Sequence, residues 1–386
     1  FASIPVLTGV AKDIQARFRK YVRAGNALAK ANWAQAEIKL SELALYRVHC
    51  ALQAVSFRDT PVDIRSAALR EFLSPEMRKG LGIFLTPEEV VSEIVAAMKL
   101  PAGAKVLDPA CGSGTFLIEA ARQATPTGKL RLHGIDKNPK MLMLAELNMG
   151  HQRLVKFSRA LGDSLKPYFE EGLPAWYGPG KFDFVLTNPP FGVTVDSRAH
   201  EFGAYATCEG LSSQVSEVIF AERCIDALKP GGRMAIVLPR SVATNPSLEK
   251  ARKALGGAGF VRAVVTLPSE TFAATGTQTT TVVLIVEKYG VVAKSDLIKP
   301  VVVRVENVGF DATGRVRPGS ELKGLGDALH RAMDTGSSIG LARCEAVVTA
   351  NETFVRLPEL VSGVSRRVKK GGKRLGSLLE FAATGA

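Results

Sequence analysis

From about residue 8 to 75, apolar residues recur three and four positions apart, as in Ala36, Ile38, Leu40, Leu43, Leu45 and Val48, within a stretch rich in Ala, Leu, Lys and Glu. That period predicts a helical domain over residues 1–78. From about 88 the pattern changes to short apolar runs: KVLDPA (105–110), LRLHGID (130–136), KFDFVLTNPP (181–190), RMAIVLP (233–239), VRAVVTLP (261–268) and TTTVVLIVEK (279–288). These read as strands, and the amphipathic segments Gly114 to Arg122, Met141 to Met149 and Ser216 to Leu228 read as helices between them. The alternation predicts an α/β domain over 79–290 with a mostly parallel, Rossmann-like sheet covered by helices on both faces. Gly231 and Gly232, following Lys229 and Pro230, predict a turn into the next strand. Beyond 290, VVVRVENVGFDATGRV (301–316) predicts a hairpin. A helical patch and a cationic stretch follow, so 291–386 is expected to be an accessory segment. Six of the nine residues from Arg366 to Arg374 are basic, the composition of a mobile linker.

With 386 residues, 46% hydrophobic and 23% charged, the chain has ordinary globular composition and enough length for two or three domains. No apolar run approaches the roughly 18 residues that span a bilayer, and the start does not resemble a secretion signal, so a cytoplasmic protein without membrane partners is expected. Cys50, Cys111, Cys208, Cys224 and Cys344 are an odd number with no CxxC pair, which suggests reduced and mostly buried thiols and no metal site. A net charge of +13 makes a polyanion the favoured large partner, although charge alone carries little weight. The chain begins at Phe1, and the segment from Arg374 to Ala386 stops without an obvious terminal element, as expected of a fragment of a longer protein.

The candidate chemistry sits in the loops after the strands. In Val106 to Phe116 (VLDPACGSGTF) an apolar strand ends in an acid and then a glycine loop before a helix. Gly112 and Gly114 let backbone approach a ligand at the carboxyl edge of the sheet; without a ligand, the segment is a tight strand-to-helix turn. It is neither G-x-G-x-x-G nor a GK[ST] phosphate loop, which counts against a dinucleotide or ATP. Asp136 ends the next strand about twenty residues later. Its carboxylate either accepts from ribose hydroxyls or caps a helix before Asn138 and Pro139. Asp163 either binds an adenine amino group or caps a turn. Asn188-Pro189-Pro190-Phe191 falls at the end of the fourth strand, which lies beside the first when the sheet order reverses. Two prolines fix φ and remove two N–H donors, so this loop is stiff and presents acceptors.

DPACGSGTF followed by NPPF resembles the paired signatures of amino-group DNA methyltransferases, whose fourth motif reads [DNS]-P-P-[YFW]. Gly82-Ile83-Phe84-Leu85-Thr86-Pro87 is similar to the F-x-T-P element that precedes the glycine loop in their adenine-specific branch, as in type I modification subunits. Leu267-Pro268 through Phe272 and Gly276, with the strand Thr279 to Lys288, resemble a later motif that helps hold a flipped base. The resemblance covers about residues 80 to 290. It implies a seven-stranded S-adenosylmethionine-dependent methyltransferase sheet. The cofactor would lie along Phe84, Thr86, Pro87 and Asp108, then Ala110, Gly112, Gly114, Thr115 and Phe116, and finally Asp136, Asp163 and Asn188.

By the same resemblance Asn188, Pro189, Pro190 and Phe191 are catalytic, with Phe191 stacking on the base and Phe272 a candidate second wall or an ordinary core residue. The implied activity is methylation of the N6 amino group of a flipped-out adenine in double-stranded DNA, within a restriction-modification or phage-defence system. Alternatives sharing the NPPF loop act on RNA guanine N2 or a protein glutamine amide, and a non-catalytic S-adenosylmethionine-binding module is a third. The segment from Arg374 to Gly385 resembles the beginning of a target recognition domain of the type I specificity-subunit kind. A specificity subunit or fused recognition domain, and a restriction subunit, are the expected partners.

Overall fold

A computed structural model describes residues 4–24, 38–55, 86–124, 129–149, 156–169, 172–196, 205–275, 279–335 and 348–367. Outside these residues lie Phe84 with the rest of 81–85, Gly276, Cys344, part of the expected helical domain, and the chain from 368 on. The last of these holds most of the basic stretch and the recognition-domain-like segment. No helix among the described residues is long and apolar enough to cross a membrane. The described N-terminal part is helical, with α1 at Ile4–Ala24 and α2 at Glu42–Leu52. Ser41 caps α2 by accepting the Ala44 N–H, and Thr8 donates to Glu42 across the pair.

The alternating runs build one eight-stranded sheet. Its strands are β1 (Lys105–Asp108), β2 (Arg131–Asp136), β3 (Lys156–Leu161), β4 (Phe182–Thr187), β7 (Leu228–Pro239), β8 (Gly259–Leu267), β9 (Thr281–Lys288) and β11 (Val301–Arg304), in the order β11-β8-β9-β7-β4-β1-β2-β3. Only β9 runs antiparallel to its neighbours. A short antiparallel pair of β5 (Thr194–Asp196) and β6 (Ser213–Val215) stands apart, as does the pair β10 (Leu297–Ile298) and β12 (Val348–Thr349). Successive side chains on a strand face opposite ways. Val283 and Ile285 accordingly enter one core, and Val282, Leu284 and Val286 the other. The first core packs under α3 (Glu88–Met98), α4 (Thr115–Gln123), α5 (Pro139–Met149) and α9 (Leu325–Thr335). The second packs under α6 (Ser216–Ala227), α7 (Arg240–Thr244), α8 (Glu249–Gly256) and α10 (Leu357–Arg367). Burial on both faces explains why the central strands read as nearly unbroken apolar runs.

Some sequence expectations take a different form. The turn at Gly231-Gly232 lies within β7: Leu228 pairs with Phe182 and Arg233 with Phe184, so residues 229–232 loop out of the ladder, with Gly231 at φ +75°. The hairpin expected over 301–316 survives only at its tip, where Phe310 bridges Val316; Val301–Arg304 instead forms the eighth strand, parallel to β8. Three of the cysteines are buried, whereas Cys50 is exposed.

The segment after β11 is fastened to the domain by α9. The Glu93 carboxylate on α3 accepts the N–H groups of Gly324 (3.1 Å) and Gly326 (2.7 Å) at the start of α9. The helices touch closely enough that a Cβ on Gly326 would sit 2.3 Å from the Glu93 carbonyl oxygen and 2.7 Å from the Ala96 Cβ. We therefore expect Gly326→Ala to destabilise the fold by about 1–3 kcal/mol through overpacking. Denaturant unfolding would read this as a lower midpoint, and an unchanged midpoint would contradict the close approach.

Candidate active site

Parallel pairing of β1 with β4 brings Asp108 beside Thr187 at the carboxyl edge of the sheet. The Thr187 hydroxyl donates to Asp108 Oδ1 at 2.7 Å, and the Ala110 N–H donates to the same oxygen at 3.1 Å. Asp108 is 2% exposed, and burial pushes its carboxyl from 3.8 up to about 7, with Asp136 adding to the rise while the two hydrogen bonds oppose it. The loop that follows turns on Gly112 at φ +51° and Gly114 at φ +86°, a left-handed backbone that glycine adopts without strain. Gly114 caps α4, and a Cβ there would lie 3.2 Å from the Ala145 Cβ, so this glycine serves helix packing.

Asp136, at the end of β2, accepts the Gly112 N–H on Oδ2 (2.8 Å) and the Asn138 N–H on Oδ1 (2.7 Å). It ties the glycine loop to the start of α5, and burial raises its carboxyl. Asp163 accepts the Leu165 N–H at 3.0 Å and so closes a turn after β3. That turn is braced from α6: the Arg223 guanidinium donates to the Leu165 (2.9 Å) and Lys166 (3.0 Å) carbonyls and lies 4.1 Å from the Tyr168 ring centroid.

The NPPF loop is held from the other end of α6. The Ser216 hydroxyl donates to the Pro190 carbonyl (3.1 Å), and the Ser216 N–H donates to the Val193 carbonyl (2.7 Å). Glu217, 4% exposed, accepts the Gly192 N–H at 3.1 Å. One cleft of about 240 Å³ joins these loops. Thr86, Asp108, Ala110, Gly112, Thr115 and Phe116 line it on the β1 side, Asp136 and Asp163 beyond them, and Asn188, Pro189 and Pro190 opposite. Pro87, Gly114, Phe191 and Phe272 are not among its walls. Pro87 begins α3, and its carbonyl accepts the Val91 N–H. Phe272, expected as a possible second aromatic wall, is 0% exposed; it meets the half-buried Phe191 edge-on at 6.4 Å and stands behind it in the core.

Sequence reasoning missed several groups. Met141, Leu165, Val193, Val195 and Phe220 supply apolar wall, and Ser216 and Glu217 brace the loop. Ser216 and Phe220 are four apart on α6 and so share a helix face, a signal that an ordinary core helix gives equally.

The sequence profile of the N-6 DNA Methylase family matches residues 58–299, more than half of the chain. The chain belongs to the N-6 DNA methylase family. It is 37% identical over 114 residues to the type I restriction enzyme MjaVII methylase subunit of Methanocaldococcus jannaschii, covering 28% of this chain and 18% of that protein. It is 26% identical over 272 residues to the type II restriction enzyme and methyltransferase RM.BcgI of Heyndrickxia coagulans, covering 67% of this chain and 38% of that protein. The chain therefore spans well under half the length of these relatives. Among solved structures, a chain of a type I restriction-modification system aligns over 98% of this chain and 80% of its own length, with a TM-score of 0.68 at 21% identity. That likeness shows a shared fold.

The cleft has the chemistry of a site for a cationic nucleoside. Three carboxylates, Asp108, Asp136 and Asp163, line it with one lysine, Lys137. A phosphate would meet like charge at Asp136 and Asp163, whereas an ammonium or sulfonium centre meets opposite charge there, and ribose hydroxyls meet acceptors. At Gly112 a Cβ would find nothing within 4 Å, so the backbone lies open on the ligand side. These residues fit S-adenosylmethionine. Because Asp108 is held neutral in the fold to about pH 7, the native state binds a proton that the unfolded chain has lost, so its contribution to stability falls as pH rises from about 4 through about 7. We expect Asp108→Asn to flatten that fall. Thermal melts of both proteins across this window test it, and parallel curves would place the titration elsewhere.

Proposed function

We propose that this protein transfers a methyl group from S-adenosylmethionine to the N6 amino group of an adenine turned out of double-stranded DNA, as the modification part of a restriction-modification system. The observation that carries the reading is the position of Asn188-Pro189-Pro190 on the wall facing Gly112, across a cleft floored by carboxylates. When bound, S-adenosylmethionine supplies an electrophilic methyl on a cationic sulfur. Asp108 would hold the methionine end, Asp136 the ribose, and Asp163 the adenine amino group of the cofactor.

The chain's own groups then act on the target amine, whose lone pair is delocalised into the ring. The Asn188 side-chain oxygen and the Pro189 carbonyl accept its two hydrogens, which draws the nitrogen towards tetrahedral geometry and aims the lone pair. Positioning counts for more than base strength, because the nitrogen sheds a proton readily once alkylated. Phe191 stacks on the extruded base, a contact of about 1–3 kcal/mol, and Phe272 fixes the Phe191 ring from behind. Thr187 and Glu217 are positioning residues: one ties the loop to Asp108 and the other holds its far end at Gly192. A specificity subunit or fused recognition domain would choose the site, and a restriction subunit would complete the system.

Incubating the protein with tritiated S-adenosylmethionine and, separately, adenine-methylation-free DNA, bulk RNA and protein distinguishes the substrates. N6-methyladenine in DNA is the expected product, and label confined to RNA or protein would overturn the proposal. Asn188→Ala should abolish transfer and leave the cofactor dissociation constant nearly unchanged, whereas equal loss of both would make the loop structural. Glu217→Ala should lower kcat by about 10- to 100-fold with cofactor affinity retained, since misplacing a positioned group by about an ångström costs on the order of 100-fold. Unchanged kcat would show that Gly192 needs no brace.

A further inference from the structure

The hairpin that follows β11 lies where the proposed substrate must approach. β11 runs parallel to β8 and so leaves the sheet at the edge that carries Asp108 and Asn188. The Val305 N–H donates to the Thr266 carbonyl (2.9 Å), which puts the departing chain beside Leu267 and the turn bearing Phe272, behind Phe191. The cofactor residues Gly112, Asp136 and Asp163 follow β1, β2 and β3 on the other half of the sheet. The loops after β4, β8 and β11 therefore face the half left for the substrate.

The hairpin is built stiffly for an element with so little to bury. Asp311 accepts the N–H groups of Thr313 (2.8 Å) and Arg315 (3.0 Å), Gly314 turns at φ +83°, and the Arg317 N–H donates to the Gly309 carbonyl (2.7 Å). At its base the Asn307 amide donates to the Pro318 and Gly319 carbonyls, both at 2.8 Å. Its acidic groups are engaged internally: Asp311 in the turn, Glu321 on the Glu306 N–H at 2.6 Å, and Glu306 with Arg304 at 3.7 Å. Arg315, Arg317 and Lys323 are exposed, and none belongs to an ion pair among the described residues. Val316, between the two arginines, is 90% exposed although its backbone pairs with Phe310 in an isolated antiparallel bridge. A preorganised element with outward positive charge and an apolar side chain suits the sugar-phosphate surface of a duplex better than it suits solvent.

We propose that the hairpin Phe310–Arg317 grips double-stranded DNA beside the base pocket, with Arg315 and Arg317 on backbone phosphates. This rests on the proposed function. The test measures binding of a fluorescent duplex by anisotropy over a range of salt concentrations, for the wild type and for the double variant Arg315→Ala, Arg317→Ala. Loss of two phosphate contacts should reduce the slope of log K against log salt by about 1.8, with cofactor affinity and melting temperature unchanged because both side chains are exposed. An unchanged slope in a variant that binds and methylates DNA like the wild type would overturn the hairpin's role alone. A wild type that binds no duplex, or binds only RNA or protein, would remove both the hairpin's role and the adenine-DNA reading.

Discussion

The hydrogen bond from Thr187 to the buried Asp108 joins the two halves of the cleft. It exists because β4 pairs in parallel with β1, on the opposite side from β2, so two strand ends far apart in sequence finish side by side. A parallel open sheet leaves a crevice where its order reverses. One wall carries the glycine loop and its carboxylates, and the other carries Asn188 directly after Thr187. The closeness of the two loops thus follows from backbone pairing, and side chains only refine it.

That refinement comes largely from one helix. The first turn of α6 holds the NPPF loop through Ser216 and Glu217, and two turns on Arg223 holds the turn after β3 that carries Asp163. Burying a carboxylate and a guanidinium is costly unless both are satisfied, and here backbone amides, carbonyls and a tyrosine ring do so. Loops on opposite walls are consequently braced by the same rigid element.

Charge is divided by location. The chain carries +13 overall, yet its cleft is lined by three aspartates and a single lysine. An acidic pocket, its charge carried by Asp136 and Asp163, within a positive protein suits a cationic cofactor inside and a polyanion outside, and both attractions weaken with salt, the outer one more because it is exposed. The outward arginines of the hairpin after β11 belong to the second field.

Periodicity and the two motifs made the alternating strands, the covering helices and the residues of both loops legible in the sequence. Local chemistry dictates these: alternation marks faces, glycines mark left-handed turns, and Pro189-Pro190 stiffens whatever precedes it. The sequence did not reveal that VVVR would leave its expected hairpin to pair with β8, or that KFSRAL (156–161), with only partly buried side chains, would form the outer strand β3. Nor did it separate Gly112, open to the cleft, from Gly114, pressed against Ala145; or Phe191, half-buried, from Phe272, hidden behind it. In each case identical residue types received different tasks through neighbours distant in the chain. Local sequence determined which elements form and which groups could do chemistry, whereas the tertiary fold alone decided which of those groups share a surface, because burial and contact depend on the packing of the whole sheet.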